Sequence, residues 1–280
     1  MDTAPSASAA PSADPAVAPF VDPALAAAFR ADGAVVLRGV FSDWIEPLRD
    51  GVAKLMANPS PRERSYAPKD GSARFFQDLC NWQDIPEFSA FVRHSPAGAI
   101  AAALMGSRTA RFFHDHVLVK EPGNSMVTPW HQDMPYYCVG GRQSVSFWVP
   151  LDPVARETTL ECVAGTHASG LDHRPQRFDG TALFENDTRP AVPDIDADRS
   201  AWTILGWALE PGDAVAFDFR TLHGAAANSS TRRRRVFSAR FVGDDAVFVD
   251  RGGKGSPPFS HLTLKTGEPL EGPDFPVVWG

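Results

Sequence analysis

Hydrophobic positions recur at two different spacings in the two halves of the chain. In the first hundred or so residues the spacing is helical. Pro23 opens a short Ala-rich helix that Asp32-Gly33 ends, since Pro suits the first turn of a helix and Gly the position just past its last. Ala34 to Val40 reads as a strand. Ser42 is placed to cap a helix in which Trp44, Ile45, Leu48, Val52 and Leu55 recur every three or four residues. Asn58 to Ser72 is polar and reads as loop. Ser95-Pro96 starts another helix, running through Ile100 to Met105.

From residue 109 the pattern shifts to short runs rich in Val, Phe and Trp, divided by Gly, Pro and Asn. These runs are Arg111–Val119, Val127–Tyr137, Ser144–Pro150, Leu160–Val163, Ala214–Phe219 and Val236–Val242. Such a series predicts a mainly β sandwich or barrel with helices packed outside. The polar, Pro-rich stretch from Leu171 to Ser200 reads as an insertion between strands, because strand-like sequence resumes after it. Beyond Asp250 the chain is rich in Gly and Pro and is expected to wrap the surface. Residues 1–20, dominated by Ala, Pro and Ser, read as a disordered leader. Residues 21–280 then form a single domain with its core at about 109–245.

Composition narrows the function. The chain has 280 residues, 43% of them hydrophobic and 22% charged, which suits a globular protein with a sizeable core. A net charge of −7 argues against general affinity for nucleic acid or anionic membranes. The basic run Arg232 to Arg235 does not change this. Strand alternation puts Arg232 and Arg234 on one face and Arg233 and Arg235 on the other, so the run reads as one inward clamp with solvated neighbours. No apolar run approaches the ~20 residues of a membrane span, and the N-terminus lacks the pattern of a secretory signal. Cys80, Cys138 and Cys162 are scattered, as in reduced proteins. The expected setting is cytoplasmic and the expected partner a small-molecule substrate, with no nucleic acid, no membrane and an unknown oligomeric state.

The candidate chemistry lies in Pro129-Trp130-His131-Gln132-Asp133. On a strand, His131 and Asp133 share a face about 7 Å apart along the chain. An imidazole and a carboxylate so placed take two adjacent positions on a small divalent cation. His223, in Arg220-Thr221-Leu222-His223-Gly224 at a strand end, is the leading third ligand. Two His and one carboxylate leave the opposite positions open, the arrangement of non-haem Fe(II) oxygenases. A His and an Asp two apart also arise as a surface pair or a capped turn. The second half of the chain favours the metal: Pro211-Gly212-Asp213 opens the strand that delivers His223, and Arg234 follows eleven residues later. An iron enzyme that consumes 2-oxoglutarate needs a fixed cation for the distal carboxylate. The planar fork of Arg suits that task.

The ordered motifs TPWHQDMPYY, SFWVPLD, VAGTHASG and PGDAVAFDFRTLHGAAANSSTRRRRVFSARF resemble the phytanoyl-CoA dioxygenase family over roughly residues 20–245. The resemblance implies a double-stranded β-helix (jelly-roll, cupin-like) core with flanking helices. It implies an Fe(II)- and 2-oxoglutarate-dependent dioxygenase that uses O2 to hydroxylate an unactivated C–H bond, releasing succinate and CO2. His131, Asp133 and His223 would be the iron ligands and the catalytic centre. Arg234 would hold the 2-oxoglutarate tail, Trp148 would sit beside it, and Gln132 and Lys120 would belong to the same pocket. Related halogenases lack the carboxylate ligand, so Asp133 favours hydroxylation or desaturation. Glu157-Thr158-Thr159 and Gly165-Thr166-His167 depart from the family pattern on the substrate side and leave the substrate open. A competing reading takes His114, His116 and Glu121 as the first metal motif of a cupin, an isomerase or metal-binding module, with His223 as a further ligand. It gives neither Arg234 nor the HQD a role.

Overall fold

The computed structural model describes residues 20–280 except 69, 178 and 179. The expected leader therefore lies outside the described residues, apart from Phe20. Helices α1 (Pro23–Asp32), α2 (Ile45–Ala57), α3 (Pro86–His94) and α4 (Ala97–Met105) alternate with strands β1 (Ala34–Leu37) and β2 (Phe75–Leu79). The remaining strands are β3 (Ala110–Lys120), β4 (Thr128–His131), β5 (Val139–Gly140), β6 (Ser144–Pro150), β7 (Leu160–Val163), β8 (Ile204–Leu205), β9 (Ala214–Phe217), β10 (His223–Ala225), β11 (Arg234–Val242), β12 (Val247–Phe248) and β13 (Val277–Trp279).

They form two facing antiparallel sheets and a small ribbon. The major sheet runs β1-β9-β6-β11-β3-β13, with β2 also on β3, and the minor sheet runs β4-β10-β7-β8. Alternation decides which residues face where. From β11, Phe237, Ala239 and Phe241 point outward and join Phe112, Val117, Phe147 and Val149 in the main core. The apolar stripes of α2 and α3 (Leu48, Val52, Leu55, Phe88, Phe91) close that core. The opposite residues of the same strands, among them Trp148, Val215 and Val236, face the minor sheet.

Local rules account for most of the helix ends. Asp22 caps α1 by accepting the Leu25 N–H at 2.7 Å, and Gly33 closes it with φ +77°, a conformation that favours glycine. Ser42 does not cap as expected. It opens a short 3₁₀ turn ahead of α2, and its hydroxyl donates to the Gly39 carbonyl. Ser95-Pro96 does precede α4. The expected strand at Val127–Tyr137 is shorter, ending at His131, and a 3₁₀ turn takes over at Met134–Tyr136. Among the described residues no helix is long and apolar enough to cross a membrane.

Candidate metal centre and its cavity

His131 ends β4 and His223 starts β10, and these two residues are direct partners in the minor sheet. Pairing across the ladder, rather than chain spacing, brings the two imidazoles together, with ring centroids 4.2 Å apart. Asp133 joins them by a route other than strand alternation. Its backbone is helical (φ −76°, ψ −41°) at the start of the 3₁₀ turn, and this bend swings the carboxylate back toward His131. Asp133 Oδ1 lies 3.7 Å from His131 Nε2 and 3.9 Å from His223 Nε2. Among the described residues this is the only group of three His, Cys, Asp or Glu side chains whose ligand atoms converge, all within 4.8 Å.

The hydrogen bonds orient these atoms for a cation. His131 Nδ1 donates to the Pro129 carbonyl at 2.8 Å and His223 Nδ1 to the Thr221 carbonyl at 2.9 Å, leaving both Nε2 lone pairs free toward Asp133. Burial, with His131 alongside, holds His223 down at about 3, so it is neutral. Burial alone would raise the Asp133 carboxyl. The charge of Arg240, with the His223 and His131 rings and the Tyr137 hydroxyl alongside, outweighs it and holds it at about 2. Asp133 Oδ2 is engaged separately, by Ser146 Oγ at 3.2 Å and Arg240 Nε at 3.4 Å. Two imidazole nitrogens and one ionised carboxylate oxygen facing one point fit iron(II).

His131, Asp133 and His223 line a cavity of about 910 Å³ between the sheets. Its floor is the inward face of the major sheet, and the register sets that face out as a grid. Arg234 lies opposite Lys120, Val236 opposite Leu118, Ser238 opposite His116 and Arg240 opposite His114. Trp148 lies beside Ser238, and its ring stacks under the Arg234 guanidinium at 5.9 Å. Arg234 is buried, and its Nη1 donates to the Thr158 carbonyl. Burial lowers it to about 10, which leaves it a cation at neutral pH. Lys120 Nζ donates to the carbonyls of Met126 (2.6 Å) and Ala226 (3.2 Å) and to Thr128 Oγ1 (3.3 Å). Burial and the neighbouring Arg234 push it down to about 6.

The other arginines of the run point away. Arg233 pairs with Glu121 at 2.8 Å and Arg235 with Asp152 at 2.6 Å. Arg232, expected to share the inward face, is exposed and precedes β11, so alternation does not reach it. Gln132 is also displaced from its expected role. It sits between two residues that face the metal point, and its amide donates to the carbonyls of Leu171 and Arg220 and accepts the His173 N–H. It fastens the 171–200 insertion to the loop before His223 rather than lining the cavity. The insertion in turn contributes Arg174, Leu183 and Val192 to the cavity wall. The cupin reading fails on Glu121, which is engaged by Arg233 and does not converge with His114 and His116. Sequence reasoning missed Arg240. Counting by twos along β11 from Arg234 would have reached it.

The model of the phytanoyl-CoA dioxygenase family matches residues 29–236. The chain belongs to the phytanoyl-CoA dioxygenase family. A probable phytanoyl-CoA dioxygenase of Caenorhabditis elegans is 24% identical over 185 residues, spanning 63% of this chain and 57% of that protein. Among solved structures, the non-haem alpha-ketoglutarate-dependent carbocyclase SnoK from nogalamycin biosynthesis aligns with a TM-score of 0.74 at 22% identity, covering 93% of this chain and 98% of its own. The epimerase SnoN in complex with Fe3+, alpha-ketoglutarate and nogalamycin RO gives 0.71 at 23%, covering 92% and 100%. EctD from S. alaskensis with 2-oxoglutarate and 5-hydroxyectoine gives 0.68 at 18%, covering 89% and 86%. These likenesses establish the jelly-roll core of a phytanoyl-CoA dioxygenase fold. Family membership and the His–Asp–His group together support iron and 2-oxoglutarate as the cofactor and co-substrate.

Proposed function

We propose that residues 21–280 form one iron(II)- and 2-oxoglutarate-dependent oxygenase domain that hydroxylates an unactivated C–H bond of a small organic substrate, with release of succinate and CO2. One observation carries the reading. The convergent His131, Asp133 and His223 open onto the same cavity that holds the buried Arg234. Iron held there would supply O2 activation coupled to oxidative decarboxylation of 2-oxoglutarate.

The chain's own residues account for binding and orientation. Arg234 presents its fork to the distal carboxylate, fixed from behind by the Thr158 carbonyl and from one face by Trp148. Lys120, held at about 6 in the empty pocket, becomes a second cation beside it once a carboxylate binds. Among the described residues, Asp133 is the one acid on the cavity wall, against Arg64, Lys120, Arg174, Arg177, Arg234, Arg240 and Lys254. In a chain of net charge −7 this imbalance favours uptake of a dianion. Ser146 and Arg240 tie down the second oxygen of Asp133, so a single oxygen is offered to the metal.

The test supplies Fe(II), 2-oxoglutarate and O2 with a metabolite library and measures succinate. Succinate from the wild type, stimulated by one library member whose product gains one oxygen atom, is the expected result. Asp133→Ala should form none. A wild-type protein that binds neither Fe(II) nor 2-oxoglutarate would overturn the proposal, and a stimulated product without added oxygen would overturn its hydroxylation step.

A further inference from the structure

Buried polar side chains without a protein partner are rare, because each costs stability until something fills it. Ten such side-chain atoms occur among the described residues, and seven belong to residues lining the one cavity: Gln77 Nε2, both His114 nitrogens, His116 Nε2, Arg174 Nε, Ser238 Oγ and Arg240 Nη1. Six of these seven, all but Arg174 Nε, sit on one face of the major sheet. His114 and His116 come from β3, Ser238 and Arg240 from the strand positions directly opposite them, and Gln77 from β2 on the other side. Gln77, His114, Ser238 and Arg240 are all at most 5% exposed.

The register separates this patch from the place where the co-substrate's tail would bind. Arg234 and Lys120 form one end of the floor, and Val236 and Leu118 give the next row an apolar surface. Arg240 lies six residues beyond Arg234, about 20 Å along an extended strand. Its Nε is spent on Asp133, so Arg240 Nη1 is the free donor at the metal end. A neutral imidazole offers one donor and one acceptor, a serine hydroxyl both, and the amide and guanidinium nitrogens only donors. Donors therefore predominate, and their partners are oxygen atoms.

We infer that the part of the substrate entering beside the metal is oxygen-rich, carrying hydroxyl, carbonyl or carboxylate groups, and that His114, His116 and Ser238, flanked by Gln77 and Arg240, read those oxygens. A bare hydrocarbon chain in this position would leave the whole patch unpaired. The inference rests on the oxygenase reading for the placement of metal and co-substrate. It narrows the substrate class that reading leaves open.

The test uses full-length protein loaded with Fe(II) and 2-oxoglutarate under anaerobic conditions. Ligand-observed NMR compares cyclohexane-1,2-diol and cyclohexanecarboxylate with methylcyclohexane, a body of similar size without oxygen. At least one oxygenated probe should bind ten-fold or more tightly than methylcyclohexane. In His114→Leu and Ser238→Ala that preference should shrink to about two-fold, with 2-oxoglutarate affinity kept within about three-fold. His114→Leu should also raise the Tm by a few degrees, since it removes two unpartnered buried nitrogens. Equal binding of the three probes overturns the inference, as does a fall in Tm in His114→Leu with the probe preference intact. Loss of 2-oxoglutarate binding in His114→Leu and Ser238→Ala would assign the patch to the co-substrate and overturn it as well. Failure of the wild type itself to bind Fe(II) or 2-oxoglutarate instead defeats the underlying oxygenase reading.

Discussion

At the scale of single residues, four neighbouring arginines occupy three different environments, and only one is a buried cation in the cavity. A desolvated carboxylate that loses its bidentate partner costs on the order of 2–5 kcal/mol, or roughly 30- to several-thousand-fold in affinity. Arg234→Ala should raise the 2-oxoglutarate KM by that range, and Arg234→Lys should recover only part of it, because Lys lacks the fork. Arg233→Ala and Arg235→Ala remove pairs with Glu121 and Asp152 on the far side and should change KM only a few-fold. Steady-state kinetics on the four variants decides it; a large effect from Arg233 or Arg235 alone would shift the strand register by one. Lys120 adds a pH signature. In the empty pocket burial and Arg234 hold it at about 6, and a carboxylate beside it raises that value. The complex then binds more protons than the free protein, so 2-oxoglutarate affinity should fall as pH rises from about 6 toward 10. Calorimetry at pH 7.5 (roughly mid-window) in buffers of different ionisation enthalpy should show proton uptake, absent in Lys120→Met. The candidate residues His131, Asp133, His223 and Arg234 were legible in the sequence from their types and order, and the structure brings them to one cavity. Alternation from Arg234 marks Arg240 as inward-facing, but that Arg240 and Ser146 both reach Asp133 depends on strand register, which no local pattern encodes.

At the scale of elements, the strands read best where alternation or composition is strong and where turn residues bound them. Ser144–Pro150 and Leu160–Val163 came out with the observed ends. Phe75–Leu79 escaped because all five residues are buried, charged and polar ones included, so no alternation shows. The helix Pro86–His94 was overlooked although Phe88, Phe91 and Val92 carry helical spacing; its single apolar stripe is brief. His131 and Asp133 were brought together on the wrong element: a strand was expected, and a bend at the strand end does the work. Gly33 shows how elements combine to support the centre. Its carbonyl accepts the Asp218 N–H at 2.9 Å and the Thr221 hydroxyl at 2.8 Å, which fixes the turn leading to His223. A Cβ there would stand 2.3 Å from His167 Nδ1 and 2.5 Å from Thr221 Oγ1, at a φ that disfavours side chains. Gly33→Ala should cost about 1–3 kcal/mol in denaturant unfolding and weaken Fe(II) binding through His223. An unfolding midpoint equal to the wild type's would remove this strut from the account.

At the scale of the whole molecule, the two sheets divide the labour. The outer face of the major sheet packs against the helices and secures the fold, while its inner face and the minor sheet hold the polar groups that would bind metal, co-substrate and substrate. The layered architecture was readable from helical spacing giving way to β spacing. The roof was not, since the insertion at 171–200 has no strand pattern and is located by contacts such as Gln132 to Leu171. The central claim is that iron sits on His131, Asp133 and His223. Anaerobic titration with Fe(II) tests it most directly. The wild type should take up one equivalent, and His131→Ala, Asp133→Ala and His223→Ala should each lose more than the roughly 10–100-fold that an outer hydrogen bond contributes, while His114→Ala binds like the wild type. Retention of the metal by His131→Ala, with its loss in His114→Ala, would contradict the account.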